Sequence, residues 1–140
     1  MADTSLGFRF RYRLSGAPPT IQYILAQDTA TYTKGDLVNL ESGELDLAAT
    51  NDTTMVGAVQ QTVSAVDSTT LIPVITDWDA VYGVYDANAR LIGATLDITG
   101  ATGAMTVAAS SNVDLLVVAN STAAEETLVM IAHGEHWQQP

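Results

Sequence analysis

The chain has 140 residues, 47% of them hydrophobic, so it is long enough to bury a core as one ordinary domain. It contains no cysteine, which excludes disulfides, zinc–thiolate sites and thiol catalysis. Five basic residues stand against 16 acidic ones, and the resulting formal net charge of −11 repels nucleic acid and anionic membranes.

The N-terminal segment is the most unusual part of the sequence. Residues 7–19 read GFRFRYRLSGAPP and hold three of the five basic residues. Aromatic residues and arginines alternate there, in the order Phe8, Arg9, Phe10, Arg11, Tyr12 and Arg13. In an extended chain this alternation places the rings on one face and the guanidinium groups on the other. Pro18 and Pro19 also favour an extended backbone and stop any helix.

We therefore predict an extended N-terminal arm over residues 1–19, followed by a single all-β domain over residues 20–140. The arm would bind a partner that offers an apolar groove and carboxylates. A first alternative is an ordinary first strand whose rings fill the domain's own core, as alternation alone usually indicates. A second is nucleic-acid binding through interleaved aromatic and arginine side chains. Residues 15–140 carry two basic and fifteen acidic residues, a balance of −13, which disfavours this second alternative.

The rest of the sequence has the composition of a β protein. Thr, Val and Ile make up 38 of the 140 residues, and clusters of turn-forming residues recur about every 8–12 residues. This pattern predicts a small β-barrel or sandwich. The predicted strands are 21–26, 37–40, 45–48, 55–63, 70–76, 81–85, 94–98, 104–108, 115–119 and 127–132.

Local signals refine these strands. The sequence ESGE at 41–44 predicts a hairpin turn in which Gly43 takes a positive φ. Pro73 cannot donate a hydrogen bond to a neighbouring strand, so its strand is predicted to lie at an edge or to carry a bulge. Single helical turns are predicted at 86–91 and 122–127.

Two groups of side chains are candidates for chemistry or binding in the middle of the chain. Asp77 and Asp79 are two residues apart, and paired carboxylates of this kind serve acid–base catalysis or calcium binding. No calcium-loop pattern surrounds them, so we expect a solvated turn in which Trp78 packs inward. Aromatic residues are enriched at protein contacts, and a second candidate interface therefore consists of Trp78, Tyr82, Tyr85 and Trp137.

The sequence HGEHW at 133–137 places His133 and His136 three residues apart with Glu135 between them. A zinc site needs a third ligand at a characteristic spacing, so we expect a C-terminal tail here. The sequence contains no nucleophile elbow, P-loop or dinucleotide fingerprint. We predict no catalytic residue, no metal and no cofactor. With no run of about 18 apolar residues and no signal-peptide pattern, we expect folding in a cytoplasm.

A longer stretch resembles a known family. Residues 32–63 read YTKGDLVNLESGELDLAATNDTTMVGAVQQTV. They are similar to the opening of the head-decoration, or capsid cement, proteins of tailed bacteriophages, in which a GD-LV strand leads into a glycine hairpin, a polar loop and a VGAV strand. The later segments VYGVYDANARLIGATLDI, VDLLVVANS and ETLVMIAHG fit the same small β-barrel plan. The resemblance covers most of residues 32–133 and carries no site onto the N-terminal segment.

This resemblance implies a non-enzymatic structural protein of the virion. Proteins of the family sit on the outer surface of the head, commonly as trimers, and brace neighbouring capsid subunits. The expected partners are the major capsid protein, contacted by the six alternating residues of the arm, and further copies of this chain in a homotrimer. Neither nucleic acid nor membrane is expected, and the protein would be made in the host cytoplasm.

Two other functions remain as alternatives. The first is a tail-fibre or baseplate β module that recognises a receptor or carbohydrate through exposed aromatic residues such as Trp78 and Trp137. The second is a hydrolase fragment with Asp77 and Asp79 as the catalytic pair, for which no further motif argues.

Overall fold

The computed structural model describes residues 6–50, 52–64, 67, 69–109 and 113–138. Every regular element in these ranges is a β-strand, which confirms the predicted all-β class. In chain order the strands are β1 (Arg9–Arg13), β2 (Ile21–Leu25), β3 (Thr31–Tyr32), β4 (Leu37–Glu41), β5 (Glu44–Leu47), β6 (Met55–Ala58), β7 (Val63–Ser64), β8 (Leu71–Ile75), β9 (Ala80–Asp86), β10 (Thr95–Thr99), β11 (Thr106–Ala109), β12 (Leu115–Val117) and β13 (Glu125–Ile131).

The largest sheet has six strands in the order β1-β9-β13-β12-β10-β11, and all its neighbours are antiparallel. A three-stranded sheet has the order β5-β4-β6. Two ribbons of two strands each, β2-β8 and β3-β7, complete the described part of the chain. None of these sheets closes on itself, so of the two predicted forms, a barrel or a sandwich, the described residues do not form the barrel.

The three-stranded sheet lies between two hydrophobic clusters. Leu37 and Met55 contribute to a cluster shared with β9, β10, β12 and β13 of the six-stranded sheet. The next residues along the chain, Val38 and Val56, contribute to a second cluster shared with β8. Because successive side chains of a strand point to opposite faces, a sheet covered on both faces requires consecutive apolar residues. The pairs Leu37-Val38 and Met55-Val56 supply them.

A glycine allows β6 to approach the end of β8. A β-carbon built on Gly57 would overlap the carbonyl oxygen of Ile75 and would lie 2.6 Å from the hydroxyl oxygen of Tyr82. The same hydroxyl contacts the backbone N–H of Ala58, which donates to it at 3.3 Å. The glycine of the VGAV segment therefore makes room for the contact between β6, β8 and β9.

Most predicted strands coincide with observed ones to within one to three residues. The predicted hairpin is confirmed, since β4 and β5 pair up to Glu41 and Glu44, with φ of 53° at Ser42 and 80° at Gly43. Two positive φ values are typical of a type I′ turn. The strand predicted at 55–63 is divided into β6 and β7.

The two helical turns predicted from the sequence are wrong. Residues 125–127 of the second one belong to β13, which pairs with β9 through Glu125 and Asp86. In the first, residues 87 and 88 form a bend and residues 89–91 have no regular structure. Arg90 holds this segment, because its Nε donates to Asp86 at 2.6 Å. A short segment cannot gain enough from one helical turn to compete with pairing or an ion pair.

Candidate functional site

The predicted N-terminal arm is an edge strand of the six-stranded sheet. β1 pairs with β9 through Arg9 and Gly83, Phe10 and Tyr82, Tyr12 and Val81, and Arg13 and Ala80. Just before this strand, the N–H of Gly7 donates to the carbonyl oxygen of Met105 at 2.8 Å. An extended arm over residues 1–19 is therefore wrong for residues 7–13, and the alternative of a first strand of the domain describes them correctly.

Two of the three aromatic rings in residues 8–13 belong to the core. Phe8 is 1% exposed and lies in the first hydrophobic cluster. Phe10 packs edge-on against Tyr82, with the ring centroids 6.5 Å apart and the planes at 77°. Tyr12 is 43% exposed. Because Phe8 and Phe10 are committed to the core, they cannot lie in a partner's groove while the domain is folded.

A bulge in β1 explains why Tyr12 leaves the pattern. The pairing with β9 shifts between Phe10 and Tyr12, so that Arg11 is an extra residue on the β1 side. A bulge places two consecutive residues opposite one and so interrupts the alternation of faces. Arg11 and Tyr12 are accordingly both exposed, whereas the residues on either side are partly buried.

The first two arginines of β1 share an acidic partner in the same chain. Arg9 Nη2 lies 3.2 Å from Glu126 Oε2, and Arg11 Nε donates to Glu126 Oε1 at 2.9 Å. Arg11 Nη2 also contacts Glu126 Oε2. Burial raises the pKa of Glu126, but the hydrogen bonds from Arg11 and Arg9 outweigh it, so the pKa lies below its usual value. Glu126 is therefore ionised and holds β1 to β13 across β9.

The third arginine contacts the predicted carboxylate pair. Arg13 Nε donates to Asp79 Oδ1 at 2.8 Å, and Arg13 Nη1 lies 3.4 Å from Asp77 Oδ1. The N–H of Ser15 donates to Asp79 at 3.1 Å, and that of Thr20 donates to Asp77 at 2.7 Å. The two aspartates thus fasten the connection between β1 and β2 to the start of β9.

These contacts correct the prediction for the Asp77–Asp79 turn. Both carboxylates are buried, and Trp78 between them is 41% exposed instead of packing inward. Burial raises the pKa of Asp79, but the hydrogen bonds from Arg13 and Ser15 lower it further than burial raises it. An ionised, fully bonded carboxylate is a structural anchor. The hydrolase alternative would require an open, proton-accepting pair.

The predicted aromatic interface does not form one surface. Tyr82 is fully buried in the first cluster, and burial raises its pKa above the usual value. Trp137 is half-buried and packs against the second cluster. Tyr85 is also half-buried, which leaves Trp78 as the exposed member of the four.

The segment predicted as a C-terminal tail is docked on β6. The N–H of Met55 donates to the carbonyl oxygen of Glu135, and that of Trp137 donates to Met55. The ring of His136 is buried and accepts a hydrogen bond at Nδ1 from the N–H of Gln138, so Nε2 carries the proton and donates to the carbonyl oxygen of Val56 at 3.0 Å. Across the described residues, no three His, Asp or Glu side chains are grouped so as to hold a metal ion.

A cleft of about 450 Å³ borders the start of β1. Its apolar lining includes Leu6, Phe8, Phe10 and Val59, and its polar lining includes Arg9, Gln60 and Lys34. Lys34 forms no ion pair with any residue that the structure describes. In a chain with net charge −11, an exposed ammonium group beside an apolar cleft suits a carboxylate attached to an apolar side chain.

The sequence analysis missed an exposed apolar face on β2. Ile21, Tyr23 and Leu25 are 47%, 66% and 40% exposed, and Leu71, which pairs with Leu25, is 51% exposed. Their alternation was visible in the sequence IQYIL, but alternation does not distinguish a face turned to the core from one turned outward.

The described chain is therefore an all-β domain in which carboxylates of the same chain pair with the arginines of the N-terminal strand. No protein-family model matches the sequence, and no curated protein is significantly similar to it. Its fold is similar to the crystal structure of the head fiber gp8.5 N base in bacteriophage phi29, with a TM-score of 0.52 and 19% sequence identity. The match covers 81% of this chain and 95% of that one. At this identity the likeness establishes a shared fold.

Proposed function

We propose that this protein is a structural protein of a phage virion that decorates the outer surface of the head and stabilises the capsid lattice. The observation that carries the proposal is the likeness of the fold, over 81% of the chain, to the base of a phage head fiber. The resemblance of residues 32–63 to head-decoration proteins points to the same part of the virion. The proposed partners are the major capsid protein and two further copies of this chain.

The contacts of β1 change which residues of such a protein would bind the capsid. The arginines of β1 already bind Glu126, Asp77 and Asp79, so they are not available as the main attraction for an acidic partner. The cleft beside β1 is a better candidate, because it combines apolar walls with Lys34. Phe8, Arg9 and Phe10 then act as walls of the binding site in place of a free ribbon.

In this proposal a short loop of the capsid protein places an acidic residue and an adjacent apolar side chain in the cleft. The apolar contact supplies most of the affinity, at about 25 cal/mol per Å² buried. One partly exposed ion pair contributes only about 0–1 kcal/mol, so the Lys34–carboxylate pair adds little affinity. Its role is to orient the bound loop. Three copies in one trimer bind together by avidity, so each cleft needs only modest affinity.

Co-sedimentation with phage heads that lack this protein tests the proposal. Wild-type protein should pellet with heads at saturable stoichiometry, and Lys34→Gln should bind several-fold more weakly with an unchanged melting temperature. Asn88→Asp is the matched control, because it makes the same change of one charge at an exposed residue outside the cleft. Absence of wild-type binding to heads would overturn the proposal.

One observation favours a second function, that of a tail-fibre or baseplate module. Trp78 is 41% exposed and rigidly held between two anchored aspartates, an arrangement suited to stacking against a sugar ring. Binding of wild-type protein to host cells but not to heads, together with loss of that binding in Trp78→Ala, would establish this function instead.

A further inference from the structure

The exposed face of β2 departs from a conventional protein surface. Three of its five residues present apolar side chains outward, and Leu71 extends the face onto β8. The other face of the same ribbon is in the core, where Ile24 packs against the cluster that contains Ile72 and Val74. The ribbon is thus apolar on both faces. The face that carries Tyr23 is covered along β8, where Pro73 and Ile75 are buried, but it is open along β2 and at Leu71.

The backbone of β2 is also open along one side. β2 pairs with β8 and with no other strand in the described residues, and the bridge from Ala26 to Leu45 lies beyond its end. An uncharged edge strand of this kind readily pairs with another chain. Soluble proteins normally protect such an edge with lysine, proline or a bulge inside the strand, and the sequence IQYIL contains no such protection.

The charge distribution identifies which partner fits this face. Residues 17–27, APPTIQYILAQ, contain no charged residue in a chain that carries 16 acidic ones. Two copies that met through most other surfaces would bring carboxylates together, whereas copies that meet here would not. A second copy is also the one partner that is always present before a head is assembled, when the open face would otherwise promote aggregation.

The size of the face agrees with the centre of a subunit contact. Four half-exposed side chains present on the order of 400 Å², if each has roughly 200 Å² in total. A standard interface buries about 800 Å² on each partner, with an apolar centre and a polar rim.

We propose that Ile21, Tyr23, Leu25 and Leu71 form the self-association face of this protein and are covered by other copies of the chain. This deepens the proposed function, because it assigns residues to the homotrimer that the function assumes. The self-association face is separate from the cleft, since none of its four residues lines the cleft.

Light scattering coupled to size-exclusion chromatography tests this assignment. Wild-type protein should have a mass several times that of one 14.8-kDa chain. Tyr23→Lys should reduce the mass to that of a single chain at the same concentration. Leu91→Lys is the matched control, because Leu91 is 73% exposed but lies outside the face, and its mass should equal that of wild type. Circular dichroism should show the same folded spectrum for all three proteins.

A second measurement covers the case in which Tyr23→Lys fails to fold. The chain has no cysteine, so Tyr23→Cys and Leu91→Cys each provide a single reactive thiol. In the oligomer, maleimide should modify Cys at position 23 at least ten-fold more slowly than Cys at position 91, and dilution to the monomer should remove the difference. Equal rates in the oligomer would overturn the assignment.

The outcomes separate this inference from the proposed function. A wild-type monomer, or an oligomer that Tyr23→Lys leaves intact, overturns the self-association face whether or not heads are bound. A wild-type monomer whose head binding is lost in Tyr23→Lys would show that the capsid covers this face. An oligomer that Tyr23→Lys dissociates, but that does not bind heads, keeps the self-association face and overturns the function.

Discussion

The carboxylate of Glu126 lies directly over Gly83, in the space that a β-carbon at this position would occupy. Gly83 is paired with Arg9 on one side and with Leu128 on the other, so it lies in the middle of three strands. The absence of a side chain allows Glu126 to reach across β9 from β13 and to bind Arg9 and Arg11 on β1. A glycine in a central strand is normally unfavourable, but here it permits an ionic contact between β13 and β1 across β9.

Gly83→Ala should therefore destabilise the protein through Glu126. The added methyl group displaces the carboxylate from both arginines, and we expect a loss of about 1–2 kcal/mol in the free energy of unfolding. In a Glu126→Ala background the same substitution has nothing to displace, and it should be neutral or slightly stabilising. Urea unfolding of the four proteins in this double-mutant cycle measures the coupling. Equal effects in the two backgrounds would show that Glu126 is not the cause.

Gly57→Ala should be more damaging, because the atom in its way cannot move aside. The β-carbon would overlap the main-chain oxygen of Ile75, which is fixed in β8, and would crowd the buried hydroxyl of Tyr82. We expect a loss of about 3 kcal/mol, typical of overpacking that forces a backbone shift. Gly16→Ala is the control, since no atom lies within 4 Å of its β-carbon and only its φ of 79° opposes the change. That control should lose about 1 kcal/mol. Thermal unfolding that ranks Gly16→Ala as the worse variant would contradict this explanation.

The sequence was sufficient to predict local features of the fold. Consecutive apolar pairs, β-branched runs and the ESGE turn depend on neighbours within a few residues, and the corresponding strands and hairpin are confirmed. The role of the N-terminal segment depends on partners far away in the chain. Glu126 is 117 residues from Arg9, and Asp79 is 66 residues from Arg13. Alternation of aromatic and basic residues is the same in an edge strand and in a free ribbon, so local pattern could not decide between them.

The same limit explains the errors around the candidate site. The carboxylates of Asp77 and Asp79 have the spacing of a surface turn, and only the return of residues 13–20 past them makes them buried anchors. The sequence predicted the strand β2 but not that one of its faces is exposed. Exposure depends on whether other strands or sheets cover it, and that is a property of the whole sheet order. No local residue pattern encodes that order.

His136 should make the stability of the protein depend on pH between about 7 and 5. Burial lowers the pKa of His136, while hydrogen bonding to Val56 opposes the shift only in part. The unfolded chain, in which the pKa is about 6.5, therefore binds a proton more readily than the folded one. The stability contributed by the neutral ring is present above pH 6.5 and is lost as the pH falls toward the folded pKa.

Urea unfolding at several pH values tests this dependence. Wild-type protein should lose stability on acidification from pH 7 to pH 5, and His136→Gln should show a flatter profile over the same interval. His133→Gln is the matched control, because the chain has only these two histidines and His133 is exposed. A wild-type profile that His136→Gln leaves unchanged would assign the titration to another group.

The last prediction concerns β1, where folding and binding have to be told apart. Phe8 is 1% exposed within the first cluster, so Phe8→Ala should cost about 3–5 kcal/mol in the free energy of unfolding. Tyr12 is 43% exposed beyond the bulge, so Tyr12→Ala should cost less than about 1 kcal/mol. Deleting residues 1–13 should lower the melting temperature by many degrees, because the edge strand and all three arginine contacts are lost together. If the truncated protein instead melts like wild type and has lost only its affinity for heads, residues 1–13 form a detachable arm and the strand seen in the fold is not what stabilises the protein.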